Sequence, residues 1–567
     1  MSDFEISHDR FFHPFHEDPH DGDGEDGPPG TWPPKTLAEL RMCRLSAQLR
    51  QKPRWWEKMR DEDIRKKWIQ EVKEQQAELQ RWEQLTDNML SYVMAELEAY
   101  AALRDPQTGI EWGPYEKIFL SDTLVPEEVT TALKLAVKPL EDVPDEEKDW
   151  HPGSDSRVLD LVHPSICPLE FEQTWGADDD GLIGTFENPD SDDLGVDPMF
   201  VSLRFQWLPS DFEVAKDGTV KLKSPYINNI FSKHHAALVP AIERVMECAV
   251  LLWERVLSAL RDEPVPERVA SAEGVSAEDE SGISCIWIDG IPSAENTEEE
   301  LEQAHDYDAW LRRRTIRGPL ALPDAPPKYD NALSRNLSAS ESLLDSTIQV
   351  IVKLANIVLT PEKPDYPGGT WHVEGMATES IVATFIYYYE GDNIEPCDLN
   401  FRMATRQPEY HEQYDSTCMQ ILYGINRDDA CVQDIGSVET KAGRCIAFPN
   451  LYQHRVSPFT LIDKTKPGVR KILVFFLIDP TISIISASNI PPQQLQVVTD
   501  ILRSQGPSSR LSLLPLELLD YIAGLVPGVK SRAKAEAVRE EVMKERSIMI
   551  ESVNTEFFAR EFNMCEH

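Results

Sequence analysis

Long apolar runs are missing from this chain: nowhere in 567 residues do 18 apolar residues follow one another. The opening stretch MSDFEISHDRFF has no basic region leading into an apolar core. A bilayer span needs about 20 such residues and a secretory leader needs that basic-then-apolar order, so the chain reads as neither membrane-spanning nor secreted. An excess of positive charge is missing too. With 98 acidic against 56 basic residues the formal charge is −42, which excludes a general nucleic-acid or anionic-membrane surface. Paired cysteines are absent: the nine are odd in number, scattered, and form no CxxC. They read as the reduced thiols of a cytoplasmic, or else nuclear, protein. No repeat of fixed period occurs, which argues against a solenoid or propeller.

The length suggests several packed units. Residues 1–30 (HPFHEDPHDGDGEDGPPG within them) offer little apolar surface and read as a disordered acidic, His-rich tail. Residues 31–110 form a helical segment, with Trp68, Val72, Leu79, Trp82, Met89, Val93 and Leu97 recurring at helical intervals as a core stripe. Residues 111–340 mix strands and helices, with an acidic surface loop at 262–282 and a charged helix near 297–315. From 341 to 485 short β-branched and aromatic runs follow one another across tight turns, the spacing of a β-sandwich or barrel. Residues 486–567 return to helix and brace it. The fold class is therefore α+β: a jelly-roll core between a large, mainly helical N-terminal region and a helical C-terminal extension.

Within the β region four residues stand in a chemically meaningful order. His372 and Glu374 alternate, so on a strand they share a face; His454 follows 82 positions after His372, and Arg470 16 positions later. Two imidazoles and one carboxylate can fill one face of an octahedral Fe(II) and leave three positions open for substrate and oxygen. Ligands so far apart in sequence need a sheet closed on itself to meet. Arg470 presents a planar fork of donors that grips a carboxylate through two parallel hydrogen bonds, suited to a diacid whose other end chelates the metal. In a simple hairpin Arg470 would face Leu461, too far from His454. The DKTKPG loop must instead carry the chain from one sheet to the other.

HxE, a distant QHRV and an Arg opening the next strand resemble the Fe(II)/2-oxoglutarate dioxygenases with their double-stranded β-helix. The phrases KPRWWEKMRDEDIRKKW, LANIVLTPEKPDYPGGTWHVEGM and FPNLYQHRVSPF are similar to a fungal family catalogued as domain of unknown function 4246. The resemblance implies His372, Glu374 and His454 as Fe(2+) ligands, Arg470 on the distal carboxylate of 2-oxoglutarate, and O2 as co-substrate. It also implies a tyrosine helping that Arg from the strand after the first ligands; among Tyr387, Tyr388 and Tyr389, Tyr388 shares strand parity with His372. The expected reaction is oxidation of a small-molecule substrate, usually hydroxylation, with release of succinate and CO2. The alternatives are a protein-modifying oxygenase or an inactive jelly-roll binding module. Glu374 stands where most such families carry Asp, and Lys471-Ile472 follow Arg470 where a Ser two residues on is the stronger signature.

Overall fold

The run STIQVIVKLANIVL becomes a single 14-residue strand, β10 (Ser346–Leu359), because β-branched side chains pack well on a pleated surface. In this computed structural model, residues 10–11, 32–178, 180–189, 196, 198–262, 265, 267–269, 323–335, 340–408, 416–504 and 509–564 are described. β10 lies in a nine-stranded antiparallel sheet. Its order is β1 (Glu111–Trp112), β2 (Phe119–Ser121), β15 (Cys445–Pro449), β12 (Ile381–Asp392), β18 (Gly468–Ile478), β10, β8 (Ser210–Val214) and β9 (Val220–Leu222), and β3 (Val158–Val162) also pairs with β10. A second sheet runs β14 (Val432–Glu439), β13 (Asp398–Ala404), β16 (Gln453–Val456). Three two-stranded ladders join β11 (Asp365–Tyr366) to β17 (Phe459–Thr460), β4 (Leu169–Glu170) to β7 (Phe205–Gln206), and β5 (Trp175–Ala177) to β6 (Ile183–Thr185).

Alternation along the strands gives the large sheet two apolar faces. Val350, Val352, Leu354, Phe385, Tyr387, Leu473 and Phe475 belong to an outer core with the helices. The amphipathic helix Leu238–Arg261 lies there, and its buried Trp253 meets both Phe385 and Phe475 with ring centroids 6.3 Å apart. On the other face Ile351, Ile386, Tyr388, Phe448, Val474 and Phe476 share a core with Leu399, Phe401, Met403, Ile435 and Val438 of the second sheet. The two sheets therefore meet face to face. Among the described residues they do not close into a barrel, as expected of a sheet closed on itself; their ladders stay separate and packing joins them. β16 and β18 fall in different sheets, so the DKTKPG loop does connect one to the other.

Several boundaries differ from those the sequence predicts. Position 341 is not an edge of the sheet: β1, β2, β3, β8 and β9 all precede it and join the same sheet, β3 and β8 covering the edge of β10 and β2 that of β15. Within the tail, Phe11 is buried, its N–H donates to Asp479 Oδ2 at 3.0 Å, and the Arg261 guanidinium stacks on its ring at 3.9 Å. Apart from Arg10 and Phe11 the tail lies outside the described residues, as do the 297–315 helix and most of the 262–282 loop. From that loop Arg268 and Val269 are buried rather than at the surface. Arg268 pairs with Glu39 (2.6 Å) and Glu96 (2.9 Å), its charge matched by two carboxylates from helices Leu37–Arg50 and Asp87–Leu103. The expected helical stripe breaks between residues 76 and 86, leaving Leu79 exposed, while Trp68, Met89, Val93 and Leu97 are buried. Cys43, Cys167, Cys248, Cys397, Cys431 and Cys445 are free and buried. No helix among the described residues is long and apolar enough to cross a membrane.

Candidate metal centre

The HxE motif does not sit on a regular strand, as its parity suggests. It lies in an extended segment after β11 that touches the second sheet through one antiparallel bridge, His372 to His454, and then turns into a short 3₁₀ helix, Ala377–Glu379. Glycines shape both ends. Gly368 has φ +92 and approaches β16 so closely that a Cβ would lie 2.9 Å from the Val456 carbonyl oxygen; Gly375, at φ +71, lets the chain turn immediately after Glu374. The bridge is made by His372 N–H to His454 O (3.3 Å) and His454 N–H to His372 O (3.0 Å). Asn450, wholly buried, fastens the other side: its Oδ1 accepts from Glu374 N–H and its Nδ2 donates to Glu374 O, both at 2.8 Å.

This framework brings His372, Glu374 and His454 together, with one potential ligand atom from each within 4.8 Å of the others. Glu374 Oε1 lies 3.3 Å from His454 Nε2 and 3.6 Å from His372 Nε2, and the two rings are 4.4 Å apart. His372 Nδ1 is 2.8 Å from the Thr370 carbonyl oxygen. Nδ1 must donate there, which leaves the Nε2 lone pair facing the carboxylate. Phe448 packs edge-on to His454 at 4.8 Å, and His454 is nearly enclosed while 30% of the His372 side chain meets solvent. Burial pulls the His372 pKa down, but the hydrogen bond and charge of Glu374 outweigh it and leave it above the ordinary histidine value. His454 is held below that value by burial and by the neighbouring His372. Glu374, in spite of burial, is held well below the usual carboxylate range by both imidazoles. His454 Nδ1 is buried and has no hydrogen-bond partner among the described residues. Two imidazole nitrogens converging on one carboxylate oxygen fit a divalent cation among them.

Arg470 lies on the same inter-sheet side, on β18 opposite Ile357 and Gly391. It is 2% exposed. Nη1 donates to Thr440 Oγ1 (3.0 Å) and Cys397 Sγ (2.8 Å), Nε has no acceptor, and among the described residues no carboxylate pairs with it. The guanidinium lies 4.7 Å from the Phe459 ring centroid and 5.7 Å from that of Tyr388. An enclosed cation with neutral neighbours calls for an anion. Tyr388 faces this inner space; burial raises its pKa, the Arg470 charge opposing. Tyr387 and Tyr389 face the helices, bonded to Thr130 and Asn356.

A second cluster, which the sequence reasoning missed, joins His151, Asp160 and His163. His151 Nδ1 lies 2.8 Å from Asp160 Oδ2, and His163 Nδ1 accepts from Ser165 N–H at 3.2 Å. That bond uses the ring's lone pair and puts the proton of neutral His163 on Nε2, so the cluster suits a metal less well than the first. Asn450 was also missed. Its only signal was a polar residue within an apolar strand end, FPN.

Two facing antiparallel sheets with a His, Glu, His cluster between them define a mixed α/β protein with a candidate metal centre. The chain belongs to the family described as protein of unknown function (DUF4246), whose model matches residues 87–501, and the N-terminal domain of that family matches residues 3–71. No curated protein matches. Among solved structures the chain is similar to the Fe(II)/(alpha)ketoglutarate-dependent dioxygenase TqaL (15% identity, 33% of this chain and 60% of that one, TM-score 0.16). It is also similar to IDO from Bacillus thuringiensis (10%, 24% and 46%, TM-score 0.15) and to the dioxygenase for auxin oxidation in rice (13%, 70% and 81%, TM-score 0.23). The chain thus spans 60% and 46% of the first two. With TM-scores below 0.5, these likenesses bear no weight on the site, whose own residues do.

Proposed function

We propose that the chain is an Fe(II)- and 2-oxoglutarate-dependent dioxygenase that hydroxylates a small organic substrate. A C–H bond, 2-oxoglutarate and O2 become a C–OH group, succinate and CO2. The observation that carries this reading is the pairing, in one inter-sheet space, of a His372, Glu374, His454 cluster with the buried, carboxylate-free guanidinium of Arg470. The strand pattern supports it: β15, β12, β18 and β10 face β14, β13, β16 and the His372 segment, four against four, as in a double-stranded β-helix. Bound iron supplies the oxygen-activating redox chemistry. The chain's own residues do the rest. His372, Glu374 and His454 hold the ion, the Thr370 carbonyl orients His372, and Asn450 pins the backbone of Glu374. Arg470 grips the distal carboxylate of the co-substrate, with Tyr388 beside it, and Phe448 keeps water from the His454 ring.

The test uses the full-length protein, anaerobic Fe(II) titration and succinate release. His372→Ala and His454→Ala lose iron binding but keep their circular dichroism, since the ligands serve the site more than the core. Glu374→Asp retains some turnover and Glu374→Ala almost none. Arg470→Ala weakens 2-oxoglutarate binding by about 2–5 kcal/mol, the cost of removing one member of a buried charged pair, and Lys restores part of it. Unchanged iron affinity in both histidine variants rejects the reading.

A further inference from the structure

The segment that carries His372 and Glu374 has little sheet pairing to fix it. Besides the bridge to His454, β16 gives it one hydrogen bond, Gly369 N–H to Val456 O at 3.0 Å. Its other support comes from the far end of the chain. Val373, between the two ligands, shares a core with Met376, Ala377 and, from the C-terminal helix, Met549, Val553 and Phe558. Arg546 of the same helix donates to the wholly buried Glu379, whose other oxygen accepts from Met376 N–H at 2.6 Å.

The helix Arg532–Ser552 then opens into a π turn, Val553–Phe557, closed by Phe558 N–H to Val553 O at 2.9 Å. Such turns are rare and recur at functional sites. Asn554 lies in it. Its Nδ2 donates to the Trp371 carbonyl at 3.0 Å, and its Oδ1 accepts from Gln453 Nε2 at 3.0 Å and from Arg402 Nη2 at 2.9 Å. Arg402 Nε in turn donates to Gln453 Oε1 at 2.7 Å. Trp371 immediately precedes His372, and Gln453 immediately precedes His454. One side-chain amide therefore ties together the two stretches of backbone that bear the histidines. Neither amide can turn over without setting donor against donor: Asn554 meets two N–H groups with its oxygen and a carbonyl with its nitrogen, and Gln453 meets a guanidinium with its oxygen. Gln453 is wholly buried, and the Trp371 ring has the guanidinium groups of Arg402 and Arg455 at 4.6 and 4.4 Å.

We propose that Asn554 is a positioning residue of the metal centre: through this one side chain the C-terminal helix sets the spacing of His372 and His454, and with it the affinity and geometry of the bound ion. This rests on, and deepens, the metal site of the oxygenase reading. An aspartate cannot take its place. It would keep both accepted bonds, the one to Arg402 strengthened by its charge, but would turn an anionic oxygen on the Trp371 carbonyl. Asn554→Asp thus separates holding the helix from placing the histidine.

The experiment measures metal binding, not turnover. Full-length protein is titrated anaerobically with Co(II), whose visible absorption bands report the ligand geometry, and the melting temperature of each variant is recorded without metal. Asn554→Asp and Asn554→Ala weaken Co(II) binding about tenfold or more, the usual effect of removing a group that orients a metal ligand, and shift the bands. Asn554→Asp melts no lower than the wild type. Thr555→Ala, on the same turn but bonded only to the Glu551 and Ser552 carbonyls, changes neither affinity nor spectrum. Wild-type affinity and spectrum in Asn554→Asp overturn the proposal. So does a loss that Thr555→Ala shares, or one that appears only where the melting temperature falls with it, since either makes the role structural. A wild type that binds no Co(II), or binds it equally well after His372→Ala and His454→Ala, rejects the metal centre itself, a failure distinct from that of Asn554.

Discussion

His163 is a histidine the fold holds neutral. Burial pushes its pKa down to about 3, against the opposing pull of Asp160, with the charges of Lys353, His151 and Arg539 adding to the depression. In the unfolded chain the same ring titrates near about 6.5. Between those values the unfolded state binds a proton that the folded state refuses, so stability is complete above about pH 6.5 and falls as pH drops toward about 3, by at most about 1.4 kcal/mol per pH unit. Thermal denaturation from pH 7 to pH 4 should show this loss, and His163→Gln should flatten it. An identical slope in the variant would assign the acid sensitivity to other groups. At this scale the candidate metal ligands were legible, because His and Glu at alternate positions in an apolar region are expensive unless they share a partner. Asn554 was not legible. A lone asparagine after a charged helix reads as a turn residue, and only the fold brings it to both histidine segments. Arg268 was hidden for a similar reason: in an acidic stretch nothing marks the one cation that two buried glutamates require.

Elements were legible where one period dominated. β12 and β18 carry unbroken apolar runs because helices cover one face and the second sheet covers the other. The helix Leu238–Arg261 covers the outer face, with Trp253 fully buried against Phe385 and Phe475. Trp253→Ala should cost about 3–5 kcal/mol, the usual price of emptying a packed aromatic site, measured by chemical denaturation; a change under 1 kcal/mol would mean that the helix and sheet repack freely. Period alone misread the segment around His372. Two alternating polar residues look like half a strand, but Gly368 and Gly375 bend the chain so that it meets β16 through one bridge, His372 to His454, and one hydrogen bond, Gly369 N–H to Val456 O.

At the scale of the whole molecule, the sandwich-like strand spacing after residue 340 was readable, whereas the recruitment of earlier strands was not, nor that the two sheets stay separate rather than closing into a barrel. β1, β2, β3, β8 and β9 are two to five residues long, too short to stand out from loops by alternation. Their presence predicts the fate of the span 341–485 expressed alone. Without the Leu238–Arg261 helix and the flanking strands, the outer face carrying Val350, Val352, Phe385 and Phe475 meets water and the edges of β10 and β15 lie open, so the fragment should aggregate. A soluble monomer in analytical ultracentrifugation would show that the N-terminal region is dispensable for the sheet. The same topology sets a timetable for synthesis. β2 waits for β15, some 320 residues downstream, and β10 for β18, so a ribosome adding about 5–20 residues per second leaves the first of these edges unmatched for tens of seconds. The strand that emerges last, β18, takes its place in the middle of the sheet. A message truncated just after His454 would therefore yield a polypeptide bearing all three candidate ligands, His372, Glu374 and His454, and lacking the wall that encloses them.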